Sequence, residues 1–282
     1  MPIEEMLIDY WILEDAPHGD LTACIIPSKF VRAHIIAKQN GLLAGMFIIR
    51  KICDRFGVRI NVLRDDGEKI SAGDVVAELL GNSHTILLIE RTMLNILMYL
   101  SGVATTTKRF VEKARKVNPK IRIAATRKTM PGLRWATKEA VRIGGGDTHR
   151  YSLSDCYLIK DNHIRVVGST RKAIKLAREK ASFTKLIEVE VRTVEEAIEA
   201  ALAGANIIMF DNMSPTDIER AIEELKRRGL RNRVLLEASG GITMENVENY
   251  ARLDIDIIST SVITLNPKPV DMSLKIVQIV EE

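Results

Sequence analysis

The chain has 282 residues, 46% of them hydrophobic, enough for a substantial core in one large α/β domain or two unequal ones. A net charge of +4 and an aromatic content of 5% exclude the basic, aromatic-interleaved footprint of a nucleic-acid binder and leave small anions as the simpler partners. Three dispersed cysteines, Cys24, Cys53 and Cys156, supply neither a disulfide framework nor zinc-ligand spacing, which fits a reducing cytoplasm. The acidic start MPIEEMLIDYWILEDAP does not have the form of a signal peptide, and no apolar run reaches the roughly 18 residues of a membrane span.

In chain order, Ile3, Met6, Leu7, Tyr10 and Trp11 predict a short amphipathic helix over 3–13. The polar turn EDAPHGDLT breaks it at Pro17 and Gly19. Residues 31–79 alternate short apolar runs with turns at Asp66-Gly67 and Ala72-Gly73-Asp74, the pattern of a small α+β unit with a twisted sheet. Residues 85–116 read as one long helix or two consecutive ones, apolar over most of the circumference and so largely buried. Within them the pair Glu90-Arg91 sets a charge in apolar surroundings, where an arginine needs a carboxylate or phosphate partner. The small residues SGVATTT, 101–107, are expected to join two domains.

From Ile121 the pattern alternates strand and helix. Candidate strands are 121–126, 156–160, 186–191, 206–211, 234–238 and 256–260. The helices between them begin at a capping box, Thr193 to Glu196, and at Ser214 followed by Pro215. Near-continuous apolar strands alternating with helices predict a parallel sheet covered by helices. The closing PVDMSLKIVQIV is read as an apolar helix that packs back on the N-terminal domain.

The residues at the ends of these strands decide the architecture. Arg127-Lys128, Lys160-Asp161-Asn162, Glu190, Asp211-Asn212, Ser239-Gly240-Gly241 and Ser259-Thr260-Ser261 all sit at strand C-terminal ends. A (β/α) barrel gathers such groups on one face, whereas a doubly wound sheet concentrates them at a switch point. About six strands rather than eight predict an incomplete or open barrel.

Between Thr126 and Lys160 stand seven Lys or Arg (Arg127, Lys128, Arg134, Lys138, Arg142, Arg150, Lys160) and His149, against three acids. Several come directly after strands or the triplet Gly144-Gly145-Gly146, the placement of a ligand site rather than of a solvated helix face. Arg127, Lys128, His149, Arg150 and Lys160 suit carboxylates and phosphates. Glu190 and Asp211 suit Mg²⁺ or ribose hydroxyls. Glu188 and Glu190 share one strand face; Glu190 is favoured as the ligand and the other as a structural partner. Ser239-Gly240-Gly241 offers unobstructed backbone N–H groups for a phosphate. No Ser-His-Asp or Cys-His arrangement stands out, so the residues point to positional and electrostatic catalysis on a sugar phosphate and a second small anion.

TRKTMPGLR, GGGDTHR and LIKDNHI, with ERTMLN and SGVATTT before them and IEVEV, FDN and EASGGI after them, resemble the quinolinate phosphoribosyltransferase family. The resemblance covers most of the chain. It implies an α/β fold with an incomplete six-stranded (β/α) barrel over 109–264 beside an N-terminal α/β sandwich over 1–108, with the tail 265–282 packing back on the sandwich. The implied reaction moves phosphoribose from 5-phosphoribosyl-1-pyrophosphate (PRPP) to quinolinate, with Mg²⁺, and releases CO₂. Lys128, Lys160, Glu190 and Asp211 are the implied catalytic group; Thr126, Arg127, His149, Arg150, Ser239, Gly240 and Ser261 join them in substrate binding. Arg91 would reach the quinolinate of a neighbouring subunit, which implies a homodimer or higher homo-oligomer. His163 reads as a structural histidine. Ala125, Met98 and Ser261 depart from the family pattern and bear on phosphate geometry. A relative associated with molybdenum transport, using a different acceptor, is the alternative; a non-catalytic anion-binding barrel would not need Glu190 and Asp211.

Overall fold

The computed structural model describes residues 3–280, with Ile3 described by its backbone alone. Residues 281 and 282 of the tail, and the side chain of Ile3 in the predicted first helix, lie outside the described residues. The chain forms α1 (Ile3–Asp15), β1 (Phe30–Ala37), β2 (Gly41–Leu42), α2 (Met46–Arg55), β3 (Arg59–Val62), β4 (Lys69–Ile70), β5 (Val75–Asn82) and α3 (Ser83–Arg115). Next are β6 (Arg122–Ala125), α4 (Arg134–Ile143), β7 (Tyr157–Ile159), α5 (Asp161–Val167), α6 (Thr170–Lys180), β8 (Ile187–Val191) and α7 (Val194–Ala203). Last come β9 (Ile207–Asp211), α8 (Pro215–Arg227), β10 (Leu235–Ser239), α9 (Val247–Ala251), β11 (Ile257–Thr260), α10 (Val262–Leu265) and β12 (Met272–Ile279). Backbone proximity divides them into two units: residues up to Thr106, Pro131–Gly144 and those from Pro267 on form the first, and Thr107–Met130 with Gly145–Asn266 the second. The segment that carries α4 thus groups with the first unit, although it falls beyond residue 108 in sequence.

The first unit is built on an antiparallel sheet of order β12-β1-β5-β3. Strand β1 alternates, burying Val31, Ala33, Ile35 and Ala37, so one sheet face is core. Helix α2 starts at Gly45, φ 116°, which has no side chain to cap it. The Asp66 carboxylate does so instead, accepting the N–H groups of Met46 and Phe47 at 2.9 Å each. Helix α3 is a single helix of 33 residues. By length and composition alone it could span a bilayer, but most of its apolar window is buried within the protein. In the first unit it carries core residues Ile86, Ile89, Met93 and Leu97, each 0% exposed.

The tail corrects the sequence reading: it is strand β12, not a helix. It pairs antiparallel with β1, from Ala37 opposite Met272 to Val31 opposite Ile279. Met272, Leu274 and Ile276 alternate with Ser273 and Lys275, a period of two that outweighs overall apolarity, and Ile and Val suit a pleated surface.

The second unit holds a parallel sheet of six strands, ordered β6-β11-β10-β9-β8-β7. The first strand pairs with the last, as in a closed barrel, and β6 and β7 are left as the two ends. Strands β8 and β9 bury almost every residue except at their C-terminal ends, as expected of a sheet covered on both faces. The edge of β6 is covered by a short segment: Ala125 N–H donates to Asp147 O at 3.0 Å, and Asp147 N–H to Ile123 O at 2.7 Å. Helix α7 is capped by Thr193, whose hydroxyl accepts Glu196 N–H, while Glu196 reaches back to Arg192 N–H rather than to Thr193. Ser214 caps α8 through Asp217 N–H, with Pro215 at its first position.

Candidate active site

The C-terminal ends of the parallel strands surround a cleft of about 590 Å³. Eleven of the sequence-predicted residues line it: Thr126, Arg127, Lys128, His149, Arg150, Lys160, Glu190, Asp211, Ser239, Gly240 and Ser261. Parallel strands bring them together because each strand presents its last inward residue, or the loop after it, at the same end. Thr126 and Lys128 are fixed by a local turn, Lys128 N–H donating to Thr126 Oγ1 at 3.1 Å, and Thr264 Oγ1 donates to Lys128 O at 2.7 Å. His163 sits outside the cleft lining; its Nδ1 accepts Lys160 N–H at 2.9 Å and caps α5, the structural part expected of it.

The two acids expected to serve a cation already face one. Lys160 Nζ pairs with Glu190 Oε1. Arg192, which the sequence reading passed over, donates to Asp211 Oδ2 from Nη2 at 3.1 Å and from Nε at 3.3 Å, and lies 3.6 Å from Asp161. The donor set of Glu190 and Asp211, hard carboxylate oxygens on a face rich in phosphate-binding groups, fits Mg²⁺, which takes one or two carboxylates and completes its shell with substrate phosphate and water. Each pair takes up one carboxylate oxygen, Glu190 Oε1 and Asp211 Oδ2, so Lys160 and Arg192 compete with an ion for these acids.

The floor of the cleft holds a cluster that the sequence reading only half anticipated. Glu188 and Glu237, both 0% exposed, point Oε2 at His149 Nε2, at 3.5 and 3.1 Å. Burial disfavours a charged His149, and hydrogen bonds and charge from the two carboxylates act against it and shift its pKa upward. Burial also raises the pKa of Glu188, against the pull of His149 and with the charge of Glu237. On the other side of the ring, Arg150 N–H donates to His149 Nδ1 at 2.8 Å, so Nδ1 is an acceptor and Nε2 carries the ring proton. His149 lines the cleft, with Nε2 facing the two carboxylates and Nδ1 facing the Arg150 N–H. Nearby, burial and then Glu188 push the Cys156 thiol up to about 11, which removes it as a nucleophile.

At the turn after β10, Ser239 O accepts Asn212 N–H at 2.9 Å and Ser259 Oγ donates to Ser239 Oγ at 2.9 Å. Gly240 and Gly241 have φ of 88° and 63°, and Asn212 one of 56°. A Cβ on Gly240 would lie 2.3 Å from Asn212 Oδ1, so this position requires glycine for space as well as for conformation. Ser261, where the family pattern often has glycine, has an ordinary φ of −85° and needs no left-handed backbone.

Arg91 is not among the residues lining this cleft. It is exposed on α3 in the first unit, against the expectation of a buried charge, and lines a recess of about 390 Å³ with Glu14, Asp15 and Tyr99. Glu237 and Arg192 are site residues not singled out from sequence, whereas Asn212 was marked only as a strand-end group beside Asp211. For Glu237 a signal existed: it is an acid inside the apolar run VLLEAS, two residues before Ser239 and so on the same strand face.

Known proteins resemble this chain over nearly all of its length. The human nicotinate-nucleotide pyrophosphorylase (carboxylating) is 36% identical over 96% of this chain and 90% of its own. An Archaeoglobus fulgidus protein named "Probable nicotinate-nucleotide pyrophosphorylase (carboxylating)" is 51% identical over 93% of this chain and its entire length. A solved structure of the nicotinate-nucleotide pyrophosphorylase from Francisella tularensis superposes with a TM-score of 0.90 at 37% identity, covering 98% of this chain and 96% of its own. Residues 20–101 match the N-terminal domain, and residues 103–275 the C-terminal domain, of quinolinate phosphoribosyl transferase. On these grounds the chain belongs to the quinolinate phosphoribosyl transferase family.

Proposed function

We propose that the chain transfers phosphoribose from PRPP to the ring nitrogen of quinolinate and releases the 2-carboxylate as CO₂, giving nicotinate mononucleotide and pyrophosphate. The observation that carries this reading is one cleft holding a cationic side, Arg127, Lys128 and Arg150, opposite a carboxylate side, Glu190 and Asp211, with a glycine-lined turn at Gly240-Gly241 between strands. A dicarboxylate acceptor and a polyphosphate donor need the first and third; the ribose and its cation need the second.

The steps come from charge. Arg127 and Arg150 take the ring carboxylates, with guanidinium forks that match them, and Arg91 of a partner subunit adds a further cation in a homodimer. Ser239 and the Gly240-Gly241 turn seat the 5-phosphate. Glu190 and Asp211 are the residues that would hold Mg²⁺, which when bound would supply positive charge to the pyrophosphate. The ring nitrogen lone pair forms the bond to C1 of the ribose while the C1–O bond breaks and its electron pair goes to pyrophosphate. Glu190 and Asp211 face the positive charge that develops on the ribose, and Lys160, freed from Glu190, faces the departing anion. The carbon–carboxylate bond at ring position 2 then breaks; its electron pair stays on the ring under the pull of the cationic nitrogen and takes up a proton. The three cysteines are free thiols, in keeping with a reducing cytoplasm.

The test is turnover of quinolinate, PRPP and Mg²⁺ by the intact chain and by Lys160→Ala. Mononucleotide formation that falls by about 10²-fold or more in the variant is expected, the scale for a group that meets charge only in the transition state. PRPP binding with quinolinate left untouched would instead favour a relative with a different acceptor.

A further inference from the structure

Two carboxylates buried beneath a cationic cleft are expensive: an ionic cluster in the interior adds little net stability, and apolar replacements are often tolerated or better. Glu188 Oε1 and Glu237 Oε1 have no hydrogen-bond partner among the described residues, so the cluster is not optimised as a polar network either. Its geometry is instead directed. Glu237 Oε2 and Glu188 Oε2 converge on a single ring nitrogen, His149 Nε2, and the opposite ring nitrogen meets the backbone of Arg150.

Resting on the phosphoribosyl-transfer reading of the cleft, we propose that Glu237, assisted by Glu188, is a positioning residue that fixes His149 and through it sets Arg150 for one ring carboxylate of the acceptor. The path is short. Glu237 accepts Nε2–H at 3.1 Å, and His149 Nδ1 accepts Arg150 N–H at 2.8 Å. From the other end, His149 N–H donates to Asp147 Oδ1 at 2.7 Å, and Asp147 is bridged to Ala124 on the edge of β6. His149 has a φ of 51°, a conformation unfavourable for a residue with a Cβ, which persists only where its surroundings hold it. The anchored ring and the Asp147 bond supply that hold from both sides. Arg150 then projects from a loop fixed to three strands, β6, β8 and β10, and its guanidinium meets Cys156 O at 3.4 Å.

The same bonds argue against a metal ion at this triad, although its three ligand atoms lie within 4.8 Å of one another. A ligating Nε2 would have to lose its proton while Nδ1 continues to accept from Arg150, and histidine ligands to metals donate from their other nitrogen instead. The triad therefore acts on orientation, and the loop's contact with the acceptor is made by Arg150.

The experiment compares wild type, Glu237→Ala and Glu237→Gln by steady-state kinetics with each substrate varied, and by ¹⁵N NMR of the histidine-labelled, substrate-free protein. Glu237→Ala is expected to raise the KM for quinolinate about tenfold, the worth of one hydrogen bond to a charged group, with kcat and the KM for PRPP within about twofold. Glu237→Gln keeps an oxygen for Nε2–H and is expected to stay within about threefold of wild type. The NMR spectrum is expected to show His149 with its proton on Nε2 in wild type and in Glu237→Gln. A proton on Nδ1 in wild type overturns the proposal, as does a Glu237→Ala variant in which kcat and both KM values change together. If Glu237→Ala does not fold, Glu237→Met, which fills a similar volume without an acceptor, replaces it with the same expectation. A wild type that leaves quinolinate untouched defeats the reading of the cleft alone, because the NMR measurement reports on His149 without substrate.

Discussion

Replacing Gly240 with alanine is expected to damage the phosphate end of the cleft far more than the same change at Gly241. Both residues have positive φ, 88° and 63°, and an L side chain pays about 1–2 kcal/mol for that conformation at either position. The surroundings differ. At Gly240 the added Cβ would lie 2.3, 2.5 and 2.8 Å from Oδ1, Cγ and Nδ2 of Asn212, whereas at Gly241 nothing lies within 4 Å. Asn212 must swing away, giving up its 2.9 Å bond from Nδ2 to Asp211 Oδ1, a contact to an exposed charge worth about 1 kcal/mol. The sum is about 2–3 kcal/mol for Gly240→Ala against about 1–2 kcal/mol for Gly241→Ala. Urea unfolding gives the stability difference, and the KM for PRPP shows whether the displaced Asn212 and Asp211 disturb the donor site; a rise of about tenfold in Gly240→Ala is the expected outcome. Equal losses of stability in the two variants, or a KM for PRPP unchanged in Gly240→Ala, would refute this account of the turn.

Two further outcomes are expected. Arg192→Ala removes the competitor for Asp211; because that pair is exposed and worth at most about 1 kcal/mol, the Mg²⁺ concentration for half-maximal activity should fall about two- to fivefold, and a rise would mean that Arg192 itself serves the substrates. Phe210 on β9, 0% exposed, is a core side chain of the second unit, and Phe210→Ala should cost about 3–5 kcal/mol; a loss under about 1 kcal/mol would contradict its burial.

The parallel sheet was legible because the strands are mostly apolar and polar groups follow them, so Arg127, Lys160, Glu190, Asp211 and Ser239 mark both the strand ends and the site. The tail was misread, since the overall apolarity of MSLKIVQI suggests a helix and hides the period of two in its first residues, while its partner β1 is distant in sequence. His149 was legible as a site residue but not in its orientation: Glu237, which takes its Nε2 proton, lies 88 residues further along the chain. A histidine among Arg and Lys residues reads as one more cation, and only the fold shows two carboxylates behind it. Arg192 comes directly after strand β8, yet its pairing with Asp211 depends on the register between neighbouring strands, which composition does not reveal.

The most direct measurement uses quinolinate labelled in its 2-carboxylate, with PRPP and Mg²⁺, and counts labelled CO₂ against pyrophosphate released by the intact protein. The account predicts equal amounts of the two, with nicotinate mononucleotide as the remaining product. Pyrophosphate released without labelled CO₂, or labelled CO₂ released without PRPP, would contradict it.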